Sequence, residues 1–216
     1  MEFEHVKPMD IEKRSMEIIG QELAEKGITL PADKAHIIKR VIHTTADFEY
    51  ADTLTFSEHA VEKAKEALRA GATIVTDTKM AWSGINKRTL ENLHGKACNF
   101  ISDEDVAEAA RQHGFTRSAA SMDKAASLPG PLIFAIGNAP TALIRLYELI
   151  EEGKLAGIAA AEALGKLSKE EAAKAKENVW NSLDQLRTGP FGQGRHDAKE
   201  QIIEQMEEWK VKNSAC

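Results

Sequence analysis

Between residues 8 and 26 the positions Ile11, Ser15, Ile18 and Ile19 recur at helical spacing, with Pro8 suited to a helix start and Gly27 to its stop. Residues 31–43 repeat the pattern. Pro31 opens a second predicted helix whose apolar face is Ile37, Ile38, Val41 and Ile42. Residues 53–56 alternate and predict a short strand. Ser57 then stands as the cap of a third helix, with Val61, Ala64 and Leu68 turned inward and Gly71 at its end.

The period changes after Gly71. Residues 72–77, 97–101 and 131–136 are β-rich apolar runs, and each is followed by a segment with helical spacing. The first predicted helices of this region are 86–93 and a segment capped by Ser102 that runs through Gln112. The last begins near Pro140, whose missing N–H costs nothing at a helix start, and carries Ala142, Leu143, Leu146 and Leu149. Strands alternating with helices predict an α/β fold: a parallel central sheet covered by helices on both faces. After Gly153 the composition shifts to Ala, Glu and Lys. The reading therefore divides the chain into an α/β core, 1–153, and a helical C-terminal region, 154–216, packing on that core. Within the latter, 188–196 (TGPFGQGRH) reads as a Gly-rich loop. Residues 197–212 read as an amphipathic helix with Ile202, Ile203, Met206 and Trp209, a stripe that must bury against something, here the sheet edge.

Composition narrows the class. The chain has 216 residues, enough for one large domain and a substantial core, with 43% hydrophobic and 29% charged residues. Thirty-four acids against 28 Lys and Arg give a net charge of −6, the wrong sign for nonspecific nucleic-acid binding. No stretch approaches the roughly 20 apolar residues of a membrane span, and the charged first residues do not read as a secretory leader. Cys98 sits in an apolar run and is expected to be a buried thiol. With Cys216 it forms neither a disulfide framework nor a metal motif, which fits a reducing, cytoplasmic setting.

Candidate chemistry concentrates in four places. His36, Arg40 and His43 fall on one helix face, where His43 can exchange a proton with a ligand nitrogen; a solvated surface face gives the same spacing. Asp47 or Glu49 can favour the imidazolium, and a metal held by His43 and Asp47 is a further reading that lacks a third ligand at a usual spacing. Arg117, among the small residues of GFTRSAAS, can clamp a carboxylate, or simply stand at a helix start capped by Thr116 or Ser118. Residues 136–141 (IGNAPT) form a Gly-bearing turn between a strand and a helix, where parallel α/β folds bind ligands and free N–H groups attract anions. The pattern is neither GxGxxG nor a P-loop. Residues 77–84 (DTKMAWSG) wall the same sheet edge.

The blocks RSMEII, IKRVIHTTADFEYADTLTFS, AGATIVTDTKMAWSGI, GFTRSAAS and AIGNAPTALIRLYELI, in this order over residues 10–152, resemble the precorrin-8X methylmutase family of cobalamin biosynthesis. The resemblance implies an isomerase that moves a methyl group from C-11 to C-12 of the corrin macrocycle, with no cofactor, no catalytic metal and a tetrapyrrole substrate. It implies a homodimer with a parallel sheet between helices. It places the acid/base role on His43 and substrate contacts on Ser15, Arg40 and Arg117, with Thr44, Ser118, Gly137, Asn138 and Thr141 beside them. Past residue 152 the chain departs from the family. An apolar strand and a Gly-rich loop are expected there, whereas residues 154–167 are Ala-rich and TGPFGQGR is only loosely similar to the loop. A homologue that binds corrinoids without turnover is the alternative this departure suggests.

Overall fold

The computed structural model describes residues 8–188. Along the chain these form α1 (Pro8–Glu25), α2 (Ala35–Thr45), α3 (Tyr50–Thr53), α4 (Ala60–Arg69), β1 (Thr73–Thr76), α5 (Lys79–Gly84), α6 (Lys87–Asn92), β2 (Lys96–Cys98), α7 (Glu104–His113), α8 (Arg117–Ala126), β3 (Leu132–Ala135), α9 (Pro140–Ala163) and α10 (Lys169–Thr188). The Gly-rich segment 189–196, the expected helix 197–212 and Cys216 lie outside the described residues.

Three parallel strands form one sheet in the order β2-β1-β3, flanked by helices. Central β1 pairs Ile74 with Ala97 on one side and Ile133 on the other. Val75 is fully buried and joins Met122 and Ala125 of α8 and Ala142 and Leu146 of α9 in the main core. A second cluster, Val106, Ala110 and Ala120, fastens α7 to α8. The sheet's two crossovers bring all three strand ends out at one edge, the usual ligand edge of such folds.

The N-terminal helices build a separate core. Ile19 and Leu23 of α1 meet Ile38 and Ile42 of α2, with Phe48, Tyr50, Leu54 and Phe56 packed around them. Gly27, at a φ of 71°, lets the chain turn so that the Ile28 N–H reaches the Leu23 carbonyl at 2.9 Å. This cluster corrects the sequence reading in two places. Ile11 and Ile18 are exposed; of the expected stripe Ile19 turns inward, and Leu23 joins it. Residues 54–56 form no strand among the described residues, because Leu54 and Phe56 pack into this helical cluster.

Other local expectations also shift. Ser57 is not the cap of α4; His59 is the boundary residue, at a φ of 56°. Asp103, not Ser102, precedes α7. Cys98 is half-buried. The short helix α5 was not anticipated, because none of its six residues is buried and it leaves no apolar stripe to read. Helix α9 runs unbroken through Gly153, so the composition change there is not a break in the backbone. Its continuation packs on α10, with Lys176 bonded to Glu162 at 2.6 Å.

Candidate functional site

Two groups of side chains carry the chemistry. The first lies on the seam between α1 and α2. Ser15 of α1 and His43 in the last turn of α2 meet with Oγ 2.7 Å from Nδ1. Twenty-eight residues apart in sequence, they are brought together because Ile19, Leu23, Ile38 and Ile42 clamp the two helices below them. With Nδ1 engaged, Nε2 has no partner among the described residues. The serine fixes the ring's orientation, and Nε2 of this exposed imidazole is left to give or take a proton.

Arg40, one turn before His43, is paired with Glu12, one turn before Ser15. Both side chains are about half exposed (52% and 48%), so the pair is weak and an incoming carboxylate can compete for the guanidinium. Thr44 bonds back to its own helix, its Oγ1 donating to the Arg40 carbonyl at 2.9 Å. Asp47 does not face His43. Its Oδ1 accepts from the Glu49 N–H at 2.9 Å, building the turn after α2. His36 is exposed two turns back. Among the described residues no three His, Cys, Asp or Glu side chains group as metal ligands, so the metal reading of His43 and Asp47 finds no third ligand there.

The second group lies at the carboxyl edge of the sheet. Arg117 is the first residue of α8 and is exposed, with no partner among the described residues. Thr116, not Ser118, caps the helix, its Oγ1 accepting from the Ala119 N–H at 3.1 Å, and Ser118 is half-buried. A cation at a helix N-terminus adds to the positive end of the helix dipole instead of offsetting it. The position costs a little stability and strengthens the pull on an anion. The Thr116 hydroxyl meets the Thr141 hydroxyl of α9 at 2.8 Å.

The turn before α9 departs from expectation. The N–H groups of Gly137, Asn138 and Ala139 are not open to a substrate anion, because all three donate to Oδ2 of Asp77, at 3.2, 2.7 and 2.8 Å. Asp77, only 2% exposed, follows β1 directly and supplies the cap that Ala139 cannot. Burial pushes its carboxyl up, but the three N–H bonds outweigh this and hold it below its ordinary value of 3.8. Beside it Asn99 donates to the carbonyl and hydroxyl of Thr76 at 2.9 and 3.1 Å. The sequence signal for Asp77 was its place just past a buried strand, at an edge where a free carboxylate would be costly.

Along β3 and α9 runs an apolar groove of about 660 Å³, lined by residues that include Leu132, Phe134, Leu143, Tyr147 and Ile150. No hydrogen bond or ion pair among the described residues joins the α1–α2 group to the sheet-edge group.

The described fold is a parallel α/β fold that carries a histidine bonded to Ser15 and two exposed arginines, Arg40 and Arg117. Residues 10–180 match the family model described as precorrin-8X methylmutase, and the chain belongs to that family. It is 41% identical to a cobalt-precorrin-8 methylmutase of Priestia megaterium over 69% of this chain and 65% of the relative. It is 47% identical to the cobalt-precorrin-8 methylmutase of Salmonella typhimurium over 66% of this chain and 70% of that protein. A crystal structure of precorrin-8X methylmutase from Thermus thermophilus superposes with a TM-score of 0.59 at 33% identity, covering 67% of this chain and 69% of that one. The chain thus spans about two thirds of the length of these relatives.

Proposed function

We propose that the protein is a methylmutase of corrin biosynthesis, moving a methyl group from C-11 to C-12 of precorrin-8X or cobalt-precorrin-8 to give hydrogenobyrinic or cobyrinic acid. The observation that carries the reading is the Ser15–His43 pair, 2.7 Å apart, at the positions where the family resemblance puts the acid/base histidine and a substrate-contacting serine. The substrate is a large apolar macrocycle edged with carboxylates. Arg40 and Arg117 suit the carboxylates. Nε2 of His43 suits a ring nitrogen, whose protonation state controls the π system across which the methyl moves. Ser15 holds the imidazole so that Nε2 faces outward, and no redox cofactor is consumed. Asn138 and Thr141 flank the sheet-edge group, and Thr44 and Ser118 stand beside His43 and Arg117.

The two groups are consistent with a homodimer in which a complete pocket draws on both, working in the cytoplasm. The alternative, a corrinoid-binding homologue without turnover, is favoured by the Ala-rich residues 154–167, which stand where the family resemblance expects an apolar strand. Incubation with cobalt-precorrin-8 and with precorrin-8X, followed by absorbance, separates the two. Conversion supports the methylmutase. Tight binding of hydrogenobyrinic acid with no conversion of either substrate selects the alternative.

A further inference from the structure

We propose that Asp77 is a positioning residue for substrate binding, acting on Arg117 through the turn before α9. The proposal rests on the methylmutase reading. Three backbone donors converge on a single carboxylate oxygen of a side chain that is 2% exposed. Structural capping asks for one or two such bonds. The third, together with the Asp77 N–H bond to the Ala135 carbonyl at 3.4 Å, ties the end of β1 to the whole β3–α9 turn.

The tie continues outward. The turn sets the first residues of α9, including Thr141. The Thr141 hydroxyl meets Thr116 at 2.8 Å, and Thr116 caps α8 at the residue next to Arg117. Arg117 has no partner of its own among the described residues, so its position depends on where the α8 N-terminus is held. A buried carboxylate thereby aims an exposed guanidinium. It also occupies the N–H groups that would otherwise compete with Arg117 for the same substrate carboxylate.

Asp77→Asn keeps the shape and removes the charge. Thr141→Val cuts the hydroxyl link and leaves the Asp77 turn intact. Titration of hydrogenobyrinic acid into each full-length variant, followed by absorbance, is expected to show about five- to tenfold weaker binding. KM rises in the same proportion while kcat changes little. In the Arg117→Leu background neither change weakens binding further, because the residue being aimed is gone. Amide exchange at Ala119 and Ala120, read without ligand, quickens in both variants, since both N–H groups bond to Thr116.

Wild-type affinity in a folded Asp77→Asn protein overturns the proposal, as do losses that add to that of Arg117→Leu. If Asp77→Asn does not fold, Thr141→Val decides, and unchanged affinity there also overturns it. Should the wild-type protein bind no corrinoid, the proposed function fails instead. The exchange rates then decide the positioning claim on their own, unchanged rates at Ala119 and Ala120 overturning it.

Discussion

The Oγ of Ser15 and the Nδ1 of His43 lie 2.7 Å apart across the α1–α2 seam, leaving Nε2 as the ring nitrogen without a partner among the described residues. This arrangement gives an otherwise mobile exposed side chain one orientation and leaves a single nitrogen for proton exchange with a ligand. On the proposed function, removing the serine should act on the chemistry and not on folding. Ser15→Ala is expected to lower kcat about tenfold, less than the ~10²–10⁴-fold of general acid–base catalysis because the base itself remains, with KM and melting temperature near wild type. Steady-state kinetics on cobalt-precorrin-8 beside a thermal melt check this. A large fall in melting temperature would make the hydroxyl structural instead.

Arg117 is exposed and unpartnered among the described residues, so its replacement should cost affinity and not stability. Arg117→Leu removes a charge-assisted contact worth about 1.5–3 kcal/mol, a loss of roughly 10- to 150-fold in the dissociation constant of hydrogenobyrinic acid. Spectrophotometric titration reads it. Equal affinity would mean that the guanidinium points away from the ligand.

Asp77 predicts a pH dependence of stability. Its folded carboxyl lies below the ordinary 3.8, because the N–H bonds from Asn138, Ala139 and Gly137 outweigh the opposing effect of burial. The unfolded chain then binds the proton more tightly than the folded one. The stabilisation is full above 3.8 and is lost as pH falls through the folded value. Urea unfolding of wild type and Asp77→Asn should show a gap that is constant near neutrality and shrinks below pH ~4. A gap independent of pH down to acid unfolding would contradict this.

Met122 is fully buried between β1 and α9, where Val75, Ala142 and Leu146 surround it. Met122→Ala should destabilise by about 2–5 kcal/mol, as truncations that leave a core cavity do. Denaturant melts with an unchanged slope would confirm a stability effect of that size.

The three strands could be located from sequence to within about three residues, because buried parallel strands concentrate β-branched and aromatic residues. Thr73–Thr76 and Leu132–Ala135 lie inside their expected runs, whereas Lys96–Cys98 begins earlier and ends sooner than the apolar segment 97–101. Helix boundaries set by capping were less legible. His59 and Asp103 occupy the boundary positions through backbone geometry, without a side-chain cap bond for sequence to announce. The alternation in 53–56 misled for a related reason: Leu54 and Phe56 pack against helices, and period two does not distinguish that from a sheet. For the site, one helix face correctly joined Arg40 and His43, but no spacing rule could bring in Glu12 or pair Ser15 with the ring across the seam. The free N–H groups expected at residues 137–139 are the clearest miss. A helix start attracts an anion as expected, and the fold supplies that anion from its own Asp77.

The absorbance of the macrocycle on mixing with protein tests the account most directly, because methyl migration changes the ring's conjugation. Wild-type protein is predicted to convert cobalt-precorrin-8 or precorrin-8X to the corrin spectrum. His43→Ala, folded and still binding hydrogenobyrinic acid, should leave the substrate spectrum unchanged. Conversion by His43→Ala at a rate near wild type, or binding without conversion by the wild-type protein, would contradict it.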